Sequence, residues 1–260
     1  MTNLLDTFTK TEFTDKGDTK TVYRKGSGPG IVVISEMPGI TPNVTVFAQR
    51  LVDAGFTVAM PVLFGTPGRE PSFGYVLKSM NTGCVSREFA TWALNRTSPV
   101  IDWLRALARD LHEQCGGPGV GAIGMCFTGG FALAMAVDDT MLAPVLSQPS
   151  MPWPIGKERR RSLGLSDADL ARVADRADLC VLAMRFTGDM AVPGTRFEHL
   201  REVLGDRVIT VEIDSSKGNA FGIPSAAHSV VTEHLVDEPG HPTKEALDQV
   251  LAFFKDRLAG

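Results

Sequence analysis

The chain has 260 residues, 43% hydrophobic and 22% charged, the balance of a globular protein with material for one large domain or two small ones. A formal net charge of −4 and a pI near 5.8 argue against nucleic-acid or anionic-membrane partners. No apolar run approaches the ~20 residues of a membrane span, and the opening MTNLLDTFTKTEFTDKGDTK lacks the basic start and apolar core of a secretory signal.

Strand-like and helix-like runs alternate along the chain, which predicts an α/β protein: a doubly wound, mostly parallel sheet flanked by helices. Thr21 to Arg24 reads as an early edge strand, and Ile31 to Ser35 as a central strand buried on both faces. Thr41-Pro42 opens a helix that carries Val44, Phe47, Leu51 and Val52 at helical spacing and ends at Gly55. Phe56 to Pro61 is the next strand. The stretch 62–96 is irregular and rich in glycine and proline. Thr97 or Ser98 then caps a helix to about Gln114.

Val120 to Ile123 forms a short strand, followed by a glycine-bracketed turn and a helix over Phe131 to Val137. Leu142 to Leu146 is another strand, and the proline-rich segment 147–166, with Lys157, Arg159, Arg160 and Arg161, reads as a lid-like insertion or a solvated surface. Ser166 caps a charged helix to about Ala177. Leu179 to Phe186 is a strand, Pro193 to Leu204 a helix, Val208 to Ile213 the last strand, and Thr243 to Leu258 a closing amphipathic helix. With no repeat and no low-complexity linker, residues 1–260 read as one domain.

Gly124-Met125-Cys126-Phe127-Thr128-Gly129-Gly130 carries the chemistry. A G-x-S-x-G elbow presents its nucleophile on a strained strand-to-helix turn, and here Cys126 stands where the serine would be. A thiol nucleophile needs a base, and the base an orienting partner. Functional residues of doubly wound sheets gather beyond the carboxyl ends of strands, which selects Asp189, after the strand ending at Phe186, and His228, in the loop after Ile213. The order Cys126, Asp189, His228 is the nucleophile–acid–histidine order of α/β hydrolases. Asp214 is the rival acid, one strand later. His112 and His199 lie on helical stretches; His234 and His241 are expected to face solvent or cap the final helix.

GMCFTGG at the elbow, Gly188-Asp189 followed by Val192-Pro193, Ala227-His228-Ser229 and Ser35-Glu36-Met37-Pro38-Gly39 together resemble the dienelactone hydrolase family, a cysteine-using branch of the α/β-hydrolase fold. The resemblance runs from about residue 25 to the C-terminus. It implies that Glu36 contacts the resting thiol and helps convert it to thiolate, the alternative role for Glu36 being a cap near Pro42. It also implies an oxyanion hole from the backbone amides of Met37 and Phe127, donors each worth about 3 kcal/mol at a developing oxyanion. The family's carboxylate-binding arginine, one turn after the histidine, falls at Thr232, so the reaction class carries over and the substrate does not.

The expected activity is hydrolysis of a small-molecule ester or lactone through a thioester acyl-enzyme. Other activated acyl or phosphoryl esters, or ligand binding without turnover, are the alternatives. Phe64, Trp92, Trp153 and Phe127 are candidates for an apolar pocket, and Arg87 for a substrate contact. Cys84, Cys115, Cys126 and Cys180 include no C-x-x-C pair and are not ringed by histidines, so reduced thiols in a cytoplasm are expected, without a metal site or a cofactor.

Overall fold

A computed structural model describes residues 3–72, 74–76, 79, 98–151 and 156–259. Cys84, Arg87, Trp92 and Trp153 lie outside the described residues. The strands are β1 (Thr9–Asp15), β2 (Asp18–Lys25), β3 (Gly30–Ile34), β4 (Thr57–Pro61), β5 (Val120–Met125), β6 (Met141–Ser147), β7 (Val181–Phe186) and β8 (Val208–Ile213). They form one eight-stranded sheet in the order β1-β2-β4-β3-β5-β6-β7-β8. From β4 to β8 every pairing is parallel, while β1–β2 and β2–β4 are antiparallel.

One strand differs from the sequence expectation. The segment around Thr21 is not the edge of the sheet, because β1 pairs outside β2 through the two-residue turn Lys16-Gly17. Both turn residues have positive φ, 48° and 83°, the backbone of a hairpin turn whose twist matches its strands. The sequence TKTEFTD is largely solvated along its length, so it lacks the apolar alternation by which a strand is ordinarily read.

The helices are α1 (Pro42–Asp53), α2 (Pro99–Cys115), α3 (Gly129–Met135), the short α4 (Lys157–Arg161), α5 (Asp167–Asp175), α6 (Gly194–Leu204) and α7 (Pro242–Leu258). Hydroxyl caps start several of them: Thr41 accepts from Val44 N, Ser98 from Val100 N and Ser166 from Asp169 N, each satisfying an otherwise orphaned N–H. His241 caps α7 through Nδ1.

The alternation of strand side chains divides the core. Val32, Ile34 and Ala122 face α2, α3, α5 and α6 through Leu104, Phe131, Val173 and Leu200. Ile31, Val33, Ile123 and Met125 face α1 and α7 through Phe47, Leu51, Val250 and Phe254. Both faces of β3 and β5 are thereby covered, which explains their unbroken apolar sequences. Among the described residues no helix is long and apolar enough to cross a membrane.

The basic segment after β6 is fastened by Arg196 of α6, which is 1% exposed. Its guanidinium donates to the carbonyls of Ser162 (2.7 Å), Pro149 (2.7 Å), Ala191 (3.2 Å) and Arg159 (3.2 Å). Burial lowers its pKa to about 10, opposed by the charge of Asp189, so it stays protonated at neutral pH. One side chain thus joins the loop after β6, α4 and the loop after β7. Arg196→Met strips the donors from these buried carbonyls and is expected to cost about 3 kcal/mol, read as a lower urea midpoint at unchanged m. A loss below about 1 kcal/mol, within reach of an ordinary surface change, would show that Arg196 is not the fastening.

Candidate active site

The strand order turns back between β3 and β5: β4 leads away to one side and β6 to the other. At such a switch point the loops diverge and leave a crevice beyond the carboxyl ends of the strands. Glu36 follows β3 and Cys126 follows β5, so both stand at this crevice. Asp189 follows β7, and His228 reaches the same edge from the long loop after β8.

Cys126 has φ 54°, the left-handed region that a non-glycine residue adopts only at a cost of about 1–3 kcal/mol. Two neighbours hold it there. Gly124 lets the chain double back so tightly that a Cβ would lie 2.0 Å from the carbonyl oxygen of Thr128. Thr128, wholly buried, accepts the Met125 N–H at 3.0 Å and donates to the carbonyl of Ile34 at 2.9 Å, tying the turn to the end of β3. Threonine thus stands at the second glycine position of the elbow, where its hydroxyl does the fastening.

His228 Nδ1 lies 2.6 Å from Asp189 Oδ2, and the other Asp189 oxygen accepts the Ala191 N–H at 2.9 Å. The imidazole also stands close enough to Cys126 for the two to interact electrostatically. Burial disfavours a charged ring, but the electrostatic influence of Cys126 and the Asp189 hydrogen bond outweigh it and raise the His228 pKa well above the usual histidine value of 6.5. The rival Asp214 instead accepts the Ser216 N–H at 2.9 Å and caps its own turn. Geometry therefore pairs His228 with Asp189.

Cys126 Sγ has a further partner in Ser150 Oγ at 3.2 Å. Ser150 is delivered by the loop after β6, whose backbone N–H donates to the Cys126 carbonyl at 2.9 Å. Met37, Phe64 and Phe127 pack into the same apolar cluster as the cysteine. The resemblance implied contact between Glu36 and the thiol, but the described hydrogen bonds give Glu36 other partners. Its carboxylate receives Ser229 Oγ at 2.5 Å, Gln148 Nε2 at 3.2 Å and the Thr232 hydroxyl. Gln148 in turn accepts the Val230 N–H at 3.3 Å. Glu36, 3% exposed, thereby links β3, the loop after β6 and the histidine loop.

Sequence reasoning did not reach Thr128, Gln148, Ser150, Ser229 or the inward role of Thr232. These are small polar residues whose partners lie far along the chain, and no spacing rule announces them. The basic block also turns elsewhere: Arg161 pairs with Glu202 and His199 of α6. Among the described residues no group of three His, Cys, Asp or Glu side chains is arranged to hold a metal ion.

This fold and crevice are those of an α/β hydrolase. The chain belongs to the dienelactone hydrolase family, whose model it matches over residues 18–258. Similar solved structures include a dienelactone hydrolase-like promiscuous phosphotriesterase from metagenomic libraries, 18% identical, covering 97% of this chain and 98% of that one with a TM-score of 0.66. A dienelactone hydrolase from Anabaena variabilis is 17% identical over 96% of this chain and 98% of its own, TM-score 0.60. A cold-adapted esterase from an Arctic intertidal metagenomic library is 15% identical over 96% and 92%, TM-score 0.57. A search of curated proteins finds no match.

Burial raises the Glu36 pKa above 4.5, against the hydrogen bonds of Ser229 and Thr232 and the charge of His228. A raised carboxyl binds its proton more tightly in the folded state, so its contribution to stability is full below 4.5 and lost as pH rises through the folded value. In Glu36→Gln this loss is absent. Urea denaturation of both proteins from pH 4 upward should show wild type losing stability relative to the variant; parallel curves would contradict a proton held at Glu36.

Proposed function

We propose that this protein hydrolyses a small carboxylic ester or lactone through a cysteine acyl-enzyme. The observation that carries this reading is His228, bonded to Asp189 at 2.6 Å and electrostatically coupled to Cys126. That is the nucleophile–base–orienter arrangement required for covalent acyl transfer. Membership in a family of hydrolases supports it independently.

In the proposed reaction His228 Nε2 takes the proton of Cys126 while Nδ1–H donates to Asp189. The thiolate attacks the carbonyl carbon, and the carbonyl electrons move onto oxygen to form a tetrahedral oxyanion. The backbone amides of Met37 and Phe127, each following a residue at the switch point, are the proposed donors to that oxyanion. The intermediate collapses with cleavage of the carbon–oxygen bond, and the leaving alkoxide takes the proton from the imidazolium. In a lactone this oxygen remains tethered to the acyl group. Water then gives a proton to His228 and attacks the thioester; the departing thiolate takes that proton back from His228 and restores the resting site. Ser150, 3.2 Å from the sulfur, aims the thiol between attacks. Phe64, packed with Met37 and Cys126 against one core cluster, is the proposed contact for an acyl chain; Arg87 and Trp153 are further proposed contacts.

A second reading, hydrolysis of an activated phosphoryl ester on the same residues, is favoured by the fold shared with a promiscuous phosphotriesterase. Matched p-nitrophenyl carboxylic and phosphotriester substrates separate the two. With the carboxylic ester, a pre-steady-state burst equal to enzyme concentration is expected. Cys126→Ala abolishes the burst and lowers kcat by at least about a thousandfold, and Asp189→Asn lowers it by about 10²–10⁴. Equal turnover by wild type and Cys126→Ala would falsify the acyl-enzyme.

A further inference from the structure

The loop that carries His228 closes on a second histidine. From Ser229 to His234 the chain folds back on itself, and His234 N donates to the Ser229 carbonyl at 3.0 Å. The side chain returns the contact. His234 Nδ1 receives the Ser229 N–H at 3.2 Å and faces the His228 N–H at 3.5 Å. A backbone N–H can only donate, so Nδ1 must be the bare, accepting nitrogen and the ring proton must sit on Nε2. The ring is half-buried and meets Phe186, the last residue of β7, edge to face at 6.1 Å. It therefore stands beneath the loop and not in solvent, contrary to the expectation from sequence.

We propose that His234 is a positioning residue for His228: its neutral Nδ1 anchors the backbone at 228 and 229, and a proton at that nitrogen releases the loop. The inference rests on the triad reading above. The backbone of residues 228 and 229 sets the direction of the His228 side chain, and Nδ1 of His228 must meet Asp189 within 2.6 Å. It also places Ser229 Oγ on Glu36 at 2.5 Å. An imidazolium at 234 would point a third N–H at two backbone N–H groups, leaving three donors and no acceptor. Small displacements of a reacting group are costly, about a hundredfold in rate for 1 Å.

The charged groups facing His234 bear on when that proton arrives. They are His228 on the same loop, its neighbour Glu233, and Asp189 from the loop after β7. Burial, followed by the charge of His228, lowers the His234 pKa below 6.5, with Glu233 and Asp189 opposing. The anchor is consequently intact at neutral pH and lost on acidification.

Asparagine places its side-chain oxygen close to where Nδ1 lies and does not titrate, whereas glutamine carries its oxygen one bond farther out. His234→Asn is expected to keep kcat close to wild type at pH 7.5, and His234→Gln to lose about tenfold to a hundredfold in kcat with KM little changed. The rate of Cys126 alkylation by iodoacetamide, followed on its own peptide by mass spectrometry, should fall more steeply with acid in wild type than in His234→Asn, by one proton. Thermal melts establish that each variant is folded; if His234→Gln is not, the acid limbs of wild type and His234→Asn decide alone. Identical acid limbs, an unimpaired His234→Gln or a His234→Asn as poor as His234→Gln each overturn the proposal. A Cys126-dependent activity indifferent to position 234 sinks this inference and spares the triad; an activity independent of Cys126 sinks both.

Discussion

A cysteine held in left-handed backbone at the point where the sheet reverses is the constraint around which the remainder is arranged. At φ 54° the turn after β5 cannot relax into an ordinary strand–loop–helix passage. It persists because Gly124 removes a clash and because the Thr128 hydroxyl bonds both its own turn and the carbonyl of Ile34. The strain is thus carried by two central, doubly covered strands, the part of the sheet with least freedom to move. The thiol side chain is left at the crevice with its direction already chosen.

Each neighbouring strand then contributes one polar contact. The loop after β6 offers Ser150 to the sulfur, that after β7 offers Asp189 to His228, and that after β8 carries His228 itself. Glu36, at the end of β3, joins two of these loops, those after β6 and β8, through Gln148, Ser229 and Thr232. Its burial outweighs these hydrogen bonds and the charge of His228, so the carboxyl retains a proton to higher pH than a free glutamate. Thr232 is central to this: a hydroxyl at that position closes a hydrogen bond to Glu36, where a guanidinium would have brought a charge.

The long connections are anchored by single side chains. Arg196 closes four carbonyls between the loop after β6, α4 and the loop after β7. His234 does the corresponding work for the histidine loop with one nitrogen. Both act on backbone and not on side chains. This is a sensible division, since loop backbone buried beside a crevice otherwise has polar groups without partners.

Much of this architecture is written in local pattern. Apolar runs such as IVVIS, capping hydroxyls at Thr41, Ser98 and Ser166, and glycines at the turn around Cys126 depend on near neighbours, so the sequence alone determined the α/β alternation and most element boundaries. The placement of Cys126, Asp189 and His228 beyond strand ends was legible for the same reason, because each follows a recognisable strand. The hairpin strand β1 was not, since its residues are mostly solvated and carry no apolar period. Tertiary structure alone brought the His228 ring onto Asp189, turned His234 inward, and gave Glu36 to Ser229, Thr232 and Gln148. Those outcomes hinge on hydrogen bonds between residues as much as 196 positions apart. Their geometry exists only once the sheet has set which strand ends are neighbours.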